Sequence, residues 1–86
     1  MIEFDPAKDQ ANIAKHGVSL ARAADLEVLA RVADGRFDEP RFRAYGLIDG
    51  VGCCLAYTIR NGVVRAISLR RAHRKEMNRY APPQDQ

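Results

Sequence analysis

Residues 41–69 read RFRAYGLIDGVGCCLAYTIRNGVVRAISL. Three strand-like segments, 41–48, 52–60 and 63–69, are separated by Asp49-Gly50 and Asn61-Gly62. These are the dipeptides of two-residue type I′ turns, whose two central residues both take positive φ. The stretch therefore reads as an antiparallel meander. The Asn61-Gly62 turn sets Arg60 opposite Val63, Thr58 opposite Arg65 and Tyr57 opposite Ala66. A two-residue turn at Asp49-Gly50 sets Arg43 opposite Ala56 and Arg41 opposite Thr58. A three-residue Asp-Gly-Val loop would carry Arg41 and Arg43 to the core side, and burying two unpaired arginines disfavours it.

In this register one face shows Phe42, Ala44, Ile48, Leu55, Tyr57, Ile59, Val64 and Ala66, a core face awaiting cover. The other shows Arg41, Arg43, Tyr45, Thr58, Arg60 and Arg65, followed by Ile67 and Leu69, which a C-terminal helix would have to shield. Guanidinium groups fork onto phosphates and a phenol ring stacks on an unpaired base, so this second face suits RNA.

Upstream, residues 1–4 suit a short strand. Asp5 as N-cap and Pro6 at the first helical position open a helix through residue 16, with Ala7, Ala11 and Ala14 on one face and Gly17 as its stop. Lys15 and His16 fall in its last turn, where positive charge complements the helix dipole. Ser19 caps a second expected helix over residues 20–30, with Leu20, Ala23, Ala24, Leu26 and Ala30 on its apolar side. Two helices joined by Gly17-Val18 also resemble a helix-turn-helix, but Asp25 and Glu27 would be repelled by phosphate. Residues 31–40 read as loop and 70–80 as a basic helix. The expected architecture is α+β: two N-terminal helices packed on one face of a three- to four-stranded antiparallel sheet, with a basic C-terminal helix. One domain over residues 1–81 and a frayed tail at 82–86 complete it.

The chain has 86 residues and a net charge of +3. Residues 1–40 hold five basic and eight acidic side chains, residues 41–86 nine basic and three acidic, so the back half is expected to meet an anionic partner. A hydrophobic content of 47% is too high for a disordered chain. No apolar run reaches the ~18–20 residues of a membrane span, and the start lacks a signal-peptide core. Cys53 and Cys54 are neighbours that point to opposite faces of a strand, which disfavours a disulfide, and the Cys and His spacings do not suit zinc. A cytoplasmic protein without metal or cofactor is expected.

FDPAK at 4–8, AKHGVS at 14–19, EPRFRAYGLIDG at 39–50 and VRAISLRRAHRKEMNRY at 64–80 together resemble the BrnT family, small ribonuclease toxins of bacterial type II toxin–antitoxin pairs with a RelE-like fold. The match runs in the family's order along nearly the whole chain. Departures occur where Phe4 is followed directly by Asp5, where Leu20-Ala21-Arg22 replaces an acidic capping box after Ser19, and at Gly52-Cys53-Cys54 in mid-sheet. The resemblance implies a toxin that cleaves RNA without a metal and inhibits translation and growth. It also implies a BrnA-like ribbon-helix-helix antitoxin as partner, with operator DNA reached only through that antitoxin.

RNA carries its own nucleophile, the 2′-OH, so a minimal nuclease positions the strand, moves a proton and stabilises charge. Arg65 on the sheet and Arg70, Arg71 and Arg74 at the expected helix start are the candidates for charge stabilisation. Glu76 is a candidate acid or base, or else an intrahelical partner of Arg79; His73 is a weaker proton-transfer candidate. Lys15, His16, Arg41, Arg43, Arg60 and Tyr80 are candidate RNA contacts, with helix-end electrostatics the favoured reading for Lys15 and His16 and core closure an equal one for Tyr80. Tyr57 reads as core, the cysteines as buried strand residues, and Arg22 and Arg31 as solvated helix charges. A non-catalytic RNA-binding module, or a degenerate toxin kept for its repressor complex, remains the alternative.

Overall fold

The computed structural model describes residues 2–35 and 38–82. Along the chain run β1 (Ile2–Glu3), α1 (Pro6–His16), a 3-10 turn (Leu20–Asp25), β2 (Glu27–Asp34), β3 (Arg41–Ile48), β4 (Val51–Arg60), β5 (Val63–Arg71) and α2 (Arg74–Tyr80). The strands form one sheet in the order β1-β5-β4-β3-β2, antiparallel except where β1 joins β5 in parallel. Among the described residues no helix is long and apolar enough to cross a membrane. Residues 83–86 of the expected tail, and Arg36 and Phe37 of the expected loop, lie outside the described residues.

Both hairpins have two-residue turns. Asp49 and Gly50 take φ of 51° and 78°, Asn61 and Gly62 of 54° and 77°, the double positive φ of type I′. Arg43 pairs with Ala56, Thr58 with Arg65 and Tyr57 with Ala66, so the three-residue loop is excluded.

The second helix is absent. Residues 20–25 make only the 3-10 turn, begun by Ser19, whose Oγ accepts from the Ala21 N–H at 3.1 Å. Residues 27–34 are a strand rather than the end of a helix and the start of a loop, which raises the sheet to five strands and removes the helix-turn-helix reading. The residues after Leu26 satisfy two periods. Ala23, Leu26 and Ala30 fit helical spacing, while Val28, Ala30 and Val32 alternate with exposed Glu27, Leu29, Arg31 and Ala33. Pairing with β3 along its whole length selects the second period. A bulge at Leu29 shifts β2 against β3, and Gly46 permits it: a Cβ there would collide with the Glu27 carbonyl.

A second bulge decides the functional face. Ala56 pairs with Ser68 but Tyr57 with Ala66, leaving Ile67 as the extra residue of β5. Beyond it Leu69 stands opposite Leu55 and enters the core, fully buried, instead of facing outward with the arginines. Arg70 moves opposite Cys54, in line with Tyr45. The core comprises Leu20 and Ala23 of the 3-10 turn with Ala44, Ile48, Cys53, Leu55, Tyr57, Ala66 and Leu69 of the sheet.

Helix α1 has its expected caps: Asp5 accepts from the Ala7 N–H at 2.8 Å, and Gly17 adopts φ 75°. Its alanines, however, face solvent, and the inward residue is polar. Asn12 Nδ2 donates to the carbonyls of Leu69 (2.9 Å) and Val18 (2.8 Å), while the Leu69 N–H donates to Asn12 Oδ1 (3.1 Å). The amide thus pairs with the β5 margin beyond the reach of β1. Asp9 completes the joint by accepting from Ser19 Oγ at 2.9 Å and the Leu20 N–H at 2.7 Å.

Candidate functional site

Strand β5 continues to Arg71, so Arg70 and Arg71 lie on the sheet and not at a helix start; α2 begins only at Arg74 and has seven residues. The chain reverses through Ala72, whose N–H donates to the Gly52 carbonyl at 2.9 Å, and α2 lies back across the face expected to hold arginines. Met77 rests on Gly52, where a Cβ would come within 2.9 Å of Met77 Cγ.

Beneath α2 five side chains interlock. Arg70 Nη1 and Nη2 donate to Glu76 Oε1 (2.8 Å) and Oε2 (2.9 Å). Tyr45 Oη donates to Glu76 Oε2 at 3.1 Å and accepts from Arg43 Nη1 at 2.9 Å. The Tyr80 ring stacks on Tyr45 with centroids 4.8 Å apart and 9° between planes, and the Arg43 guanidinium lies 5.2 Å from the Tyr80 centroid. The Arg70 fork, aided by the Tyr45 hydroxyl, holds the Glu76 carboxyl at about 2. Burial pushes the Tyr45 phenol and the Cys54 thiol up. Glu76 is therefore an ionised anchor for Arg70, not for Arg79, and carries no proton at neutral pH.

On its other side Arg70 borders a cleft of about 400 Å³ between α1 and β5. Lys8, Lys15 and His16 line it from α1, and Ser68 and Ile67 from β5, with Asn12 at its floor. Lys8, Lys15 and His16 make no ion pair with a described residue, so cationic groups from two elements face one opening with a single carboxylate, Glu76, behind them. Arg71 at the end of β5 and Arg74 and Lys75 at the start of α2 are exposed.

The structure thus gathers Lys15, His16 and Arg70, and separately Arg43, Arg70, Glu76 and Tyr80. It does not bring Arg65, Arg60 or Arg41 to them. Arg65 lies five positions down β5 from Arg70, roughly 15 Å away, with Glu3 Oε1 at 3.4 Å. Arg60 is held by Glu39 through bonds of 2.9 and 3.1 Å, which keep that carboxyl below its usual range; Arg41 occupies the same end of the sheet. Acidic residues of the front half therefore match arginines of the back half, and Tyr80 stacks within the protein. His73 is the N-cap of α2 without a side-chain capping bond. Arg22, still partly in solvent, pairs with the exposed Asp25 and Asp49. Lys8 and Ser68 were missed in the sequence reading. Lys8, Asn12, Lys15 and His16 recur at positions 0, 4, 7 and 8 of one helix face, a visible signal, whereas Ser68 reaches the cleft only through the bulge. Among the described residues no group of three or more His, Cys, Asp or Glu side chains is arranged to hold a metal.

A five-stranded sheet roofed on one face by a short helix, with unneutralised cations at one margin, defines a class of small α+β proteins. Within it, this chain belongs to the BrnT family, the ribonuclease toxins of type II toxin–antitoxin systems, whose family model matches residues 4–76. It is also similar to the crystal structure of the Brucella abortus ribonuclease toxin BrnT, with a TM-score of 0.67 and 26% identity over 85% of this chain and 96% of that one. No curated protein matches the chain. Membership of a type II system implies an antitoxin partner.

Proposed function

We propose that the chain is a metal-independent endoribonuclease that cleaves RNA in the cytoplasm, inhibits translation and growth, and is neutralised by a BrnA-like ribbon-helix-helix antitoxin through which alone operator DNA is reached. The observation that carries this reading is the convergence of Lys8, Lys15 and His16 from α1 with Arg70 from β5 on one cleft. A phosphodiester placed there brings its own nucleophile. The ribose 2′-oxygen attacks phosphorus, the bond to the 5′-oxygen breaks, and a 2′,3′-cyclic phosphate and a 5′-hydroxyl result. His16 takes the 2′-OH proton, imidazole being the side chain class suited to that transfer near neutral pH, and the protonated imidazole returns it through solvent to the departing 5′-oxygen, restoring the neutral base. Arg70 and Lys15 face the charge that builds on the phosphoryl oxygens, a task fixed cations perform without a metal.

Glu76 acts as a positioning residue: its fork fixes the plane of the Arg70 guanidinium. Arg71 and Arg74 carry the RNA onward from the cleft. Arg41, Arg43, Arg60 and Arg65 are more distant contacts, each already engaged within the protein.

Purified protein incubated with single-stranded RNA in EDTA tests the reading. Cleavage leaving cyclic phosphate ends is expected, falling about 10²-fold or more in His16→Ala and in Arg70→Ala. Binding without cleavage would instead identify a non-catalytic RNA-binding module or a degenerate toxin.

A further inference from the structure

The two margins of the sheet differ. β1 and Asn12 close the β5 side. β2 ends the sheet on the other side with eight residues, and among the described residues no strand pairs with its outer margin. A row of backbone donors and acceptors of that length is a template for an added strand.

The core face beside it is apolar, the opposite face is mixed, and both are open. On the core face a groove of about 720 Å³ runs past Leu26, Val28, Ala33, Phe42 and Ile59, because the 3-10 turn is too short to roof the far half of the sheet. On the opposite face Leu29, Leu47 and Met77 line a second hollow. Leu29 of β2 is 52% exposed, a large apolar group left in water at this margin. Successive side chains of a strand point to opposite faces, so a segment laid along β2 would send alternate residues into the two hollows.

One charge selects the occupant. Arg31 is exposed, lines the core-face groove and makes no ion pair with a described residue. A second copy of β2 in full overlap would set Glu27 against Asp34 at both ends, like charge against like. We infer that β2 is the docking margin for an extended segment of the antitoxin, with alternating apolar residues and a carboxylate facing Arg31, added as a sixth strand. The inference rests on family membership for the partner's existence; the second hollow is shared with Arg71 and Arg74, whereas Arg31 and Ala33 of β2 are two strands away from the cleft residues of β5.

The test uses this chain and the BrnA-like antitoxin encoded with it. Arg31→Glu and Ala33→Glu, both at exposed positions, should each weaken the complex at least tenfold, while Arg31→Lys holds it within about threefold. Thermal melts of the free variants should match the parent. Hydrogen exchange should show protection of residues 27–34 on complex formation. Unaltered affinity in both glutamate variants, absent protection, or the same protection in antitoxin-free protein that sediments as a dimer would overturn the inference. RNA cleavage by the free variants should equal the parent's. If the parent itself does not cleave RNA, the enzymatic reading fails, and the binding and exchange measurements still decide this one.

Discussion

Arg70 and Glu76 meet through two parallel hydrogen bonds of 2.8 and 2.9 Å across a strand-to-helix reversal. A helix of seven residues has no stability of its own in water, so α2 exists because the sheet holds it. The fork supplies orientation, Tyr80 on Tyr45 supplies buried area, and Met77 on Gly52 allows the close approach.

Acid should weaken this attachment in a defined window. The Glu76 carboxyl is held at about 2 against 4.5 for an unperturbed glutamate. Its contribution is therefore complete above pH ~4.5 and is lost as pH falls through ~2. With a fifth of the side chain still in water, about 2 kcal/mol is expected at neutral pH. Denaturant unfolding of parent and Glu76→Gln should differ by that amount at pH 7 and converge near pH 2; a pH-independent gap would contradict the assignment.

Tyr80→Ala should release α2 without unfolding the sheet. Loss of the aromatic pair and its area costs about 2 kcal/mol locally. Amide exchange of residues 74–80 should accelerate while the core strands β4 and β5 keep their protection. Equal acceleration throughout would mean that α2 and the sheet unfold as one unit.

Asn12 is polar at the centre of an interface, and its removal should cost more than an ordinary surface change. Asn12→Ala leaves the buried Leu69 N–H and carbonyl without partners, a loss of about 3 kcal/mol. Asn12→Asp should be at least as damaging, since a carboxylate would face the Leu69 and Val18 carbonyls where the amide donated. Chemical unfolding of both variants checks the order.

Two glycines should respond unequally to alanine. At Gly46 the new methyl meets the fixed Glu27 carbonyl of the β2 bulge, so β2 cannot pair as it does, and a loss of ~3 kcal/mol or more is expected. At Gly52 the methyl meets the flexible end of Met77, which can turn aside for about 1 kcal/mol. Comparable melting temperatures for the two variants would remove the distinction.

The hairpins were legible because Asp49-Gly50 and Asn61-Gly62 leave one turn geometry, and that geometry dictates register. The bulge at Ile67 was not, since no residue type announces an unpaired position, and with it went the true places of Leu69 and Arg70. β2 was concealed by alanines that suit a helix as well as a strand; only its partner β3 decides between them. α1 was located correctly but its inward face was not, because apolar periodicity pointed to the alanines and away from Asn12. At the site, Lys15, His16, Arg70 and Glu76 were chosen on charge and motif. Their grouping follows from the strand's extension to Arg71, and the acidic partners Glu3 and Glu39 come from distant segments that no local pattern links to Arg65 and Arg60.

The closure of β5 by a side chain bears on how large an assembly this sheet can support. Asn12 occupies the Leu69 backbone, and β1 offers only two residues of outer edge. A chain with two long free edges can propagate end to end into a fibre. Among the described residues this one has a single long edge. If β2 takes the antitoxin strand proposed above, addition at that edge leaves no second long edge for another, and a finite complex is the expected limit of association.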